Sequence, residues 1–316
     1  MLSLCRVVLS SHQDRELAMR LDEFDPNEVE VDDQRGQSGG GRGFPLPMGG
    51  GKLGCGTIVL ILIAVFVFKA DPSQLLGQMQ GGAGGPLPGQ QEQQAQGGTT
   101  AAESCKIDKA SLESCNALSS LNKTWGPLFK GSNITFKRPT LHFYSQSGRS
   151  GCGAAQSAMG PFYCPTDQGI YLDTEFYKRM EQELGADGQF ARDYVIAHEY
   201  GHHIQNLLGT SDQVRNLQER NSGAANQLSV RLELQADCYA GVWAARNKDR
   251  LEPGDMESGL NAAHQIGDDT LMKNAGQRPV EAAFTHGSSA QRMAWLKKGL
   301  ESGNEDSCDT FADMKR

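Results

Sequence analysis

His198-Glu199-Tyr200-Gly201-His202 places two imidazoles four residues apart, with a carboxylate beside the first. On a helix, residues i and i+4 share a face, so His198 and His202 can hold one metal ion while Glu199 borders an open coordination position. Zinc suits the pair. It takes neutral imidazole readily, and three protein ligands leave a fourth position for water, whose pKa falls to about 7. Glu199 is then the base for that water's proton.

The third ligand is sought in a second helix. Residues 227–246 read QLSVRLELQADCYAGVWAAR, with apolar side chains over most of the circumference, which marks an interior helix. Glu233 and Asp237 stand four apart on one face of it, and two like charges are costly to bury without partners. A metal removes the difficulty if Glu233 is the third ligand and Asp237 accepts the N–H of a ligating histidine. His203 points about 100° away from His202 and reads as a structural or surface residue.

These groups need elements to carry them. Thr140–Tyr144 and Gly169–Thr174 have strand character, and 175–185, 190–208, 211–220, 227–247, 254–267 and 288–302 read as helices. Asp187 is the N-cap candidate for the first histidine helix, and Gly209 is placed to end it. Further on, Phe284-Thr285-His286-Gly287-Ser288-Ser289-Ala290-Gln291-Arg292 has Ser288 and Gln291 spaced as a capping box. That sets His286 just ahead of a helix N-terminus and Arg292 on its second turn. His286 is the expected catalytic donor to the oxygen that gains negative charge in a transition state, with Arg292 assisting or orienting it and Tyr239 next in line.

The blocks HEYGHHIQ, RLELQADCYAGVWA, SGCGAAQSAMGPFYCPTD within 147–167 and FTHGSSAQR resemble the bacterial membrane-anchored neutral zinc metallopeptidase family over about Trp125 to Phe311. More distantly, the E-x-x-x-D pair after H-E-x-x-H is similar to the gluzincins. The resemblance implies an α+β, zincin-like domain, mainly helical with a small sheet, behind a single N-terminal transmembrane helix, with Zn2+ as cofactor. By analogy with zincins, peptide binds in extended form beside an edge strand, for which Ile170, Tyr171 and Leu172 are the candidates. The function expected is a membrane-tethered zinc endopeptidase acting on extracytoplasmic peptide or protein. The competing reading is a zinc-stabilised envelope scaffold without turnover, and Glu199 argues for the enzyme, because a structural metal needs a fourth ligand rather than a base.

The first hundred residues are of another character. Leu53–Phe68, LGCGTIVLILIAVFVF, is an apolar run between Lys52 and Lys69. As a helix it spans about 24 Å, short of the roughly 30 Å hydrocarbon core, so snorkelling lysines or local thinning must make up the difference. Arg35, Arg42 and Lys52 on its N-terminal side, against Lys69 on the other, predict a cytoplasmic N-terminus. The expected organisation is a disordered cytoplasmic segment over 1–52 whose true start is suspected at Met19, a transmembrane helix over 53–70, a Gly/Gln/Pro-rich linker over 71–103 and the peptidase domain over 104–316. In the family's Gram-negative members this places the domain in the periplasm, on the inner membrane.

Cysteine usage agrees. Cys105, Cys115, Cys152, Cys164, Cys238 and Cys308 follow the run, an even number in an oxidising compartment. Six cysteines allow fifteen pairings; locality and the family blocks favour Cys152–Cys164 and Cys238–Cys308, with Cys105–Cys115 as a local loop. A net charge of −8 without a basic stripe argues against nucleic acid as a partner.

Overall fold

The computed structural model describes residues 19–36 and 100–315. A four-stranded sheet is made of β1 (Glu30–Asp33), β2 (Thr140–Tyr144), β6 (Gly169–Asp173) and β5 (Phe162–Cys164), in that order. β1, β2 and β6 run parallel, and β5 runs antiparallel to β6. A hairpin of β3 (Ser147–Ser150) and β4 (Gly153–Gln156) follows β2. The helices are α1 (Ala101–Cys105), α2 (Lys109–Gly131), α3 (Phe176–Leu184), α4 (Gln189–Leu207), α5 (Thr210–Arg220), α6 (Ala225–Arg246), α7 (Asp255–Gln265), α8 (Asp268–Asn274) and α9 (Ser289–Ser302). The fold is thus mainly helical α+β with a small mixed sheet, as expected.

Two of the parallel strands are nearly continuous hydrophobic runs because both faces are covered; every residue of β6 is buried. That corrects the expected substrate strand. Ile170, Tyr171 and Leu172 pair with β2 on one side and β5 on the other, so they offer no free edge. β5 ends the sheet instead.

The central packing is α4 across α6, with α9 against the other side of α6. Gly241 of α6 and Gly299 of α9 make the second crossing close: a Cβ at Gly299 would lie 2.0 Å from the Cys238 carbonyl oxygen, and one at Gly241 would lie 2.2 Å from that of Leu296. Gly209, at φ 73°, follows the last turn of α4 in the left-handed conformation expected of it. The N-cap of α4, however, is Gly188, not Asp187. Disulfides join Cys105–Cys115, Cys152–Cys164 and Cys238–Cys308. They fit an extracytoplasmic location.

α2 carries no clean apolar stripe, and its buried polar residues explain why. Ser114 Oγ lies 2.9 Å from the Tyr177 hydroxyl, Asn122 Oδ1 accepts from the Tyr200 hydroxyl at 2.7 Å, and Glu113 takes Arg192 Nε at 2.7 Å. The polar positions are core positions, satisfied by partners distant in sequence.

Residues 19–36 differ most from expectation. They are not a disordered arm: Met19, Phe24 and Val29 are buried in the same core as α2, and β1 extends the sheet beside β2. Asn122 Nδ2 donates to Glu28 O at 2.6 Å, and Arg35 pairs with Asp33 at 2.6 Å and Asp108 at 3.1 Å. Too apolar-poor to fold alone, the segment folds on the domain. Residues 19–36 and the domain from 100 onward thus form one folded unit, where the expectation divided them between a cytoplasmic segment and an extracytoplasmic domain. The expected transmembrane helix at 53–70 and most of the linker lie outside the described residues. Among those described, no helix is long and apolar enough to cross a membrane.

Candidate metal centre

α4 presents His198, Glu199 and His202 toward α6, and Gly201 lets the helices approach: a Cβ there would lie 2.8 Å from Ala236 Cα. The crossing brings Glu233 between the two imidazoles. Its Oε2 is 3.2 Å from His198 Nε2 and its Oε1 is 3.5 Å from His202 Nε2, and the three donor atoms all lie within 4.8 Å of one another. Ligand atoms about 2.0–2.1 Å from a tetrahedral zinc are roughly 3.3 Å apart, so the donors fit the ion in number, chemistry and spacing. Among the described residues this is the only such group.

Each imidazole is turned toward that point by a partner behind it. His198 Nδ1 lies 2.8 Å from Asp237 Oδ1, and His202 Nδ1 lies 2.9 Å from Gln205 Oε1. With Nδ1 donating, Nε2 is left as the ligand atom. Gln205 is itself held by the Leu232 carbonyl at 2.7 Å. Asp237 is fully buried; Arg292 Nε and Nη2 donate to its two oxygens at 2.9 Å each, and the Tyr194 hydroxyl donates to Oδ1 at 2.7 Å. Burial works against the Asp237 anion, but Arg292 and His198 pull its pKa down to about 2. Arg292, expected to assist or orient His286, is paired with Asp237 instead, and its Nη2 also lies 3.3 Å from His198 Nδ1 and 3.4 Å from His198 Nε2 at the cavity wall.

Opposing effects meet at the triad. Burial disfavours the Glu233 anion, yet His202 and His198 hold it well below the usual carboxylate range. Burial likewise disfavours the His198 cation, and Asp237 with Glu233 nevertheless raises that ring to about 9. A metal held by these residues would compete with that proton. At Glu199 burial wins and, with a push from Glu233, lifts it to about 7 against the pull of His198, Arg292 and the Tyr163 backbone N–H.

His286 arrives from the loop before α9, and Asp268 at the start of α8 fixes that loop. Its Oδ2 accepts the backbone N–H groups of Thr285, His286 and Gly287 at 2.7, 2.7 and 3.1 Å, and its Oδ1 faces His286 Nδ1 at 3.2 Å. Ser288 and Gln291 form the capping box. Burial opposes the His286 cation, but Asp268 and then Glu233 raise its pKa. Tyr239 is elsewhere, buried edge-on against Trp125 at 5.4 Å.

Glu199, His286 and the triad line one cavity of about 440 Å³. Its other wall is apolar, with Met159, Phe162, Phe176, Met180, Leu184 and Val195, so β5 and the loop before it form one lip. Sequence reasoning missed Asp268, Gln205, Tyr194 and β5. Tyr194 and Gln205 could have been found, since they sit at i−4 from His198 and i+3 from His202 on the same helix.

Comparison with known proteins agrees with this geometry. The family described as "Putative neutral zinc metallopeptidase" matches residues 23–311. The "Uncharacterized protein YpfJ" of Escherichia coli (strain K12) is 45% identical over 288 residues, 89% of this chain and 95% of that protein. The "Uncharacterized protein Rv2575" of Mycobacterium tuberculosis is 41% identical over 206 residues, 61% of this chain and 68% of that one. No solved structure matches.

Proposed function

The chain belongs to the neutral zinc metallopeptidase family, and from that premise we propose that it is a zinc-dependent endopeptidase hydrolysing extracytoplasmic peptide or protein. One observation carries the reading. The cavity face of the His198–His202–Glu233 triad holds two groups that are not ligands, the carboxylate Glu199 and the imidazole His286. A structural site has no use for either.

Zinc held by the triad supplies a Lewis acid that polarises a peptide carbonyl and acidifies water. The protein's residues do the rest. Glu199 accepts a proton from the attacking water and returns it to the leaving amine, a task suited to a carboxylate lifted toward neutrality by burial. His286, whose protonated form Asp268 favours, donates to the oxygen on which charge builds. Asp237 and Gln205 keep the ligand rings in register.

β5 is the strand along which substrate aligns, since it closes the sheet and its residues Phe162 and Tyr163 line the cavity. Pairing there takes affinity from main-chain hydrogen bonds and side-chain preference from the apolar wall. The apolar run Leu53–Phe68 tethers the unit to a membrane.

Comparing the extracytoplasmic proteome of cells carrying wild type and Glu199→Gln tests the reading: proteins cleaved in the first and intact in the second are its substrates. Identical proteomes, with a zinc-loaded protein inert toward peptides, would leave the scaffold reading.

A further inference from the structure

The metal helix carries a third histidine that the chemistry above does not use. His203 is completely buried, and Asn206 lies three residues on, along the same helix. Both reach one atom, the hydroxyl of Tyr163 in β5: His203 Nδ1 lies 3.0 Å from it and Asn206 Nδ2 donates to it at 2.9 Å. Asn206 Nδ2 also faces the Pro165 carbonyl at 3.4 Å, just past the end of the strand. On its other side His203 Nε2 is 2.6 Å from the Lys137 carbonyl, in the segment that leads into β2.

The directions of these bonds follow from their chemistry. A carbonyl only accepts, so Nε2 carries the hydrogen and Nδ1 is the acceptor. The Tyr163 hydroxyl therefore donates to His203 and accepts from Asn206. The result is a one-way chain, Asn206 to Tyr163 to His203 to Lys137, with every hydrogen placed.

We propose that His203 and Asn206 are positioning residues that hang the substrate-aligning strand β5 from the metal helix through the Tyr163 hydroxyl. β5 is three residues long and pairs with β6 at only three positions, on one side. Tyr163 is its middle residue, so its hydroxyl sets the height and rotation of the strand over the helix that carries Glu199. The proposal rests on the reading of β5 as the substrate strand. Helix and strand are then one rigid part: the residue after a metal ligand sets where peptide lies relative to the metal.

Tyr163→Phe removes the shared hydroxyl and keeps the ring; His203→Gln keeps a donor for Lys137 and loses the acceptor near Nδ1; His203→Asn keeps an acceptor near Nδ1. For peptides of six or more residues, Tyr163→Phe and His203→Gln are expected to raise KM roughly tenfold with kcat within about twofold and zinc content unchanged. Dipeptide-sized substrates, too short to pair with the strand, lose little. His203→Asn recovers part of the KM, and the Tyr163→Phe/His203→Gln double variant is no worse than either alone, because both remove one interaction. Amide hydrogen exchange in β5 is expected to quicken in both single variants, and this readout does not depend on turnover. A wild-type protein that cleaves long peptides while Tyr163→Phe keeps its KM and its β5 exchange rate would overturn the proposal. A wild-type protein that cleaves nothing would overturn the peptidase reading instead, and unchanged β5 exchange would then remove the positioning role of His203 and Asn206 as well.

Discussion

Arg292 grips Asp237 with two parallel N–H···O bonds of 2.9 Å, and Asp237 in turn holds His198 Nδ1 at 2.8 Å. A cation that is not itself a ligand thereby sets a ligand's orientation, through Asp237 and from its own position 3.3 Å from His198 Nδ1. The arrangement depends on the Gly241–Gly299 crossing, which brings α9 close enough for a guanidinium to reach across α6.

Lysine at position 292 keeps the charge and loses the fork. Arg292→Lys is therefore expected to weaken zinc binding by roughly 10–100-fold in a chelator competition while zinc-saturated turnover changes far less. Unchanged affinity with turnover lost a hundredfold would return Arg292 to the transition state.

His286→Phe is expected to lower kcat on the order of a hundredfold with zinc content and thermal stability close to wild type. Asp268→Asn turns an amide N–H toward His286 Nδ1 or costs the loop its backbone acceptor, and should lower kcat by on the order of tenfold or more. Because Asp268 acts through His286, the double variant should be no slower than His286→Phe. Additive losses would separate the two residues.

The metal ligands were legible because a helix turns an i, i+4 spacing into a shared face, and because Glu233 and Asp237 are charges in a stretch too apolar to leave them in water. The role of Arg292 was not, since position on a second turn does not reveal which side of a metal a side chain approaches. β5 was illegible for a different reason: Phe162-Tyr163-Cys164 between Pro161 and Pro165 is too short to display alternation. The packing of residues 19–36 was hidden likewise, because Met19, Phe24 and Val29 follow no period and the segment finds its partners some ninety residues away in α2 and, around Arg20, at Arg250 and Glu252.

Asp193 is buried with both carboxyl oxygens lacking a close hydrogen-bond partner, and burial, with Glu113 and Asp255 nearby, raises its pKa well above the ordinary value despite Arg192. The folded chain keeps a proton there that the unfolded chain releases above about pH 4, so the unfolded state binds fewer protons and stability falls as pH rises from that point. Asp193→Asn removes this loss. Its Tm should exceed that of wild type at pH 8 and approach it near pH 4; a difference constant across that range would contradict the assignment.

Sidedness follows from the packing of residues 19–36. In a background lacking Cys5 and Cys55, a cysteine at exposed Glu23 and one at exposed Glu301 should react alike with a membrane-impermeant thiol reagent on intact cells. Labelling at 301 with protection at 23 would show that the N-terminal segment lies across the membrane from the domain.

The most direct test of the central claim measures zinc content and peptide turnover on the same preparations of wild type, Glu199→Gln and Glu233→Ala. Wild type should hold about one zinc and turn over peptide, Glu199→Gln should hold the same zinc with turnover lowered about 10²–10⁴-fold, and Glu233→Ala should lose tight zinc binding. Glu199→Gln turning over at the wild-type rate, or Glu233→Ala retaining zinc with unchanged affinity, would contradict the account.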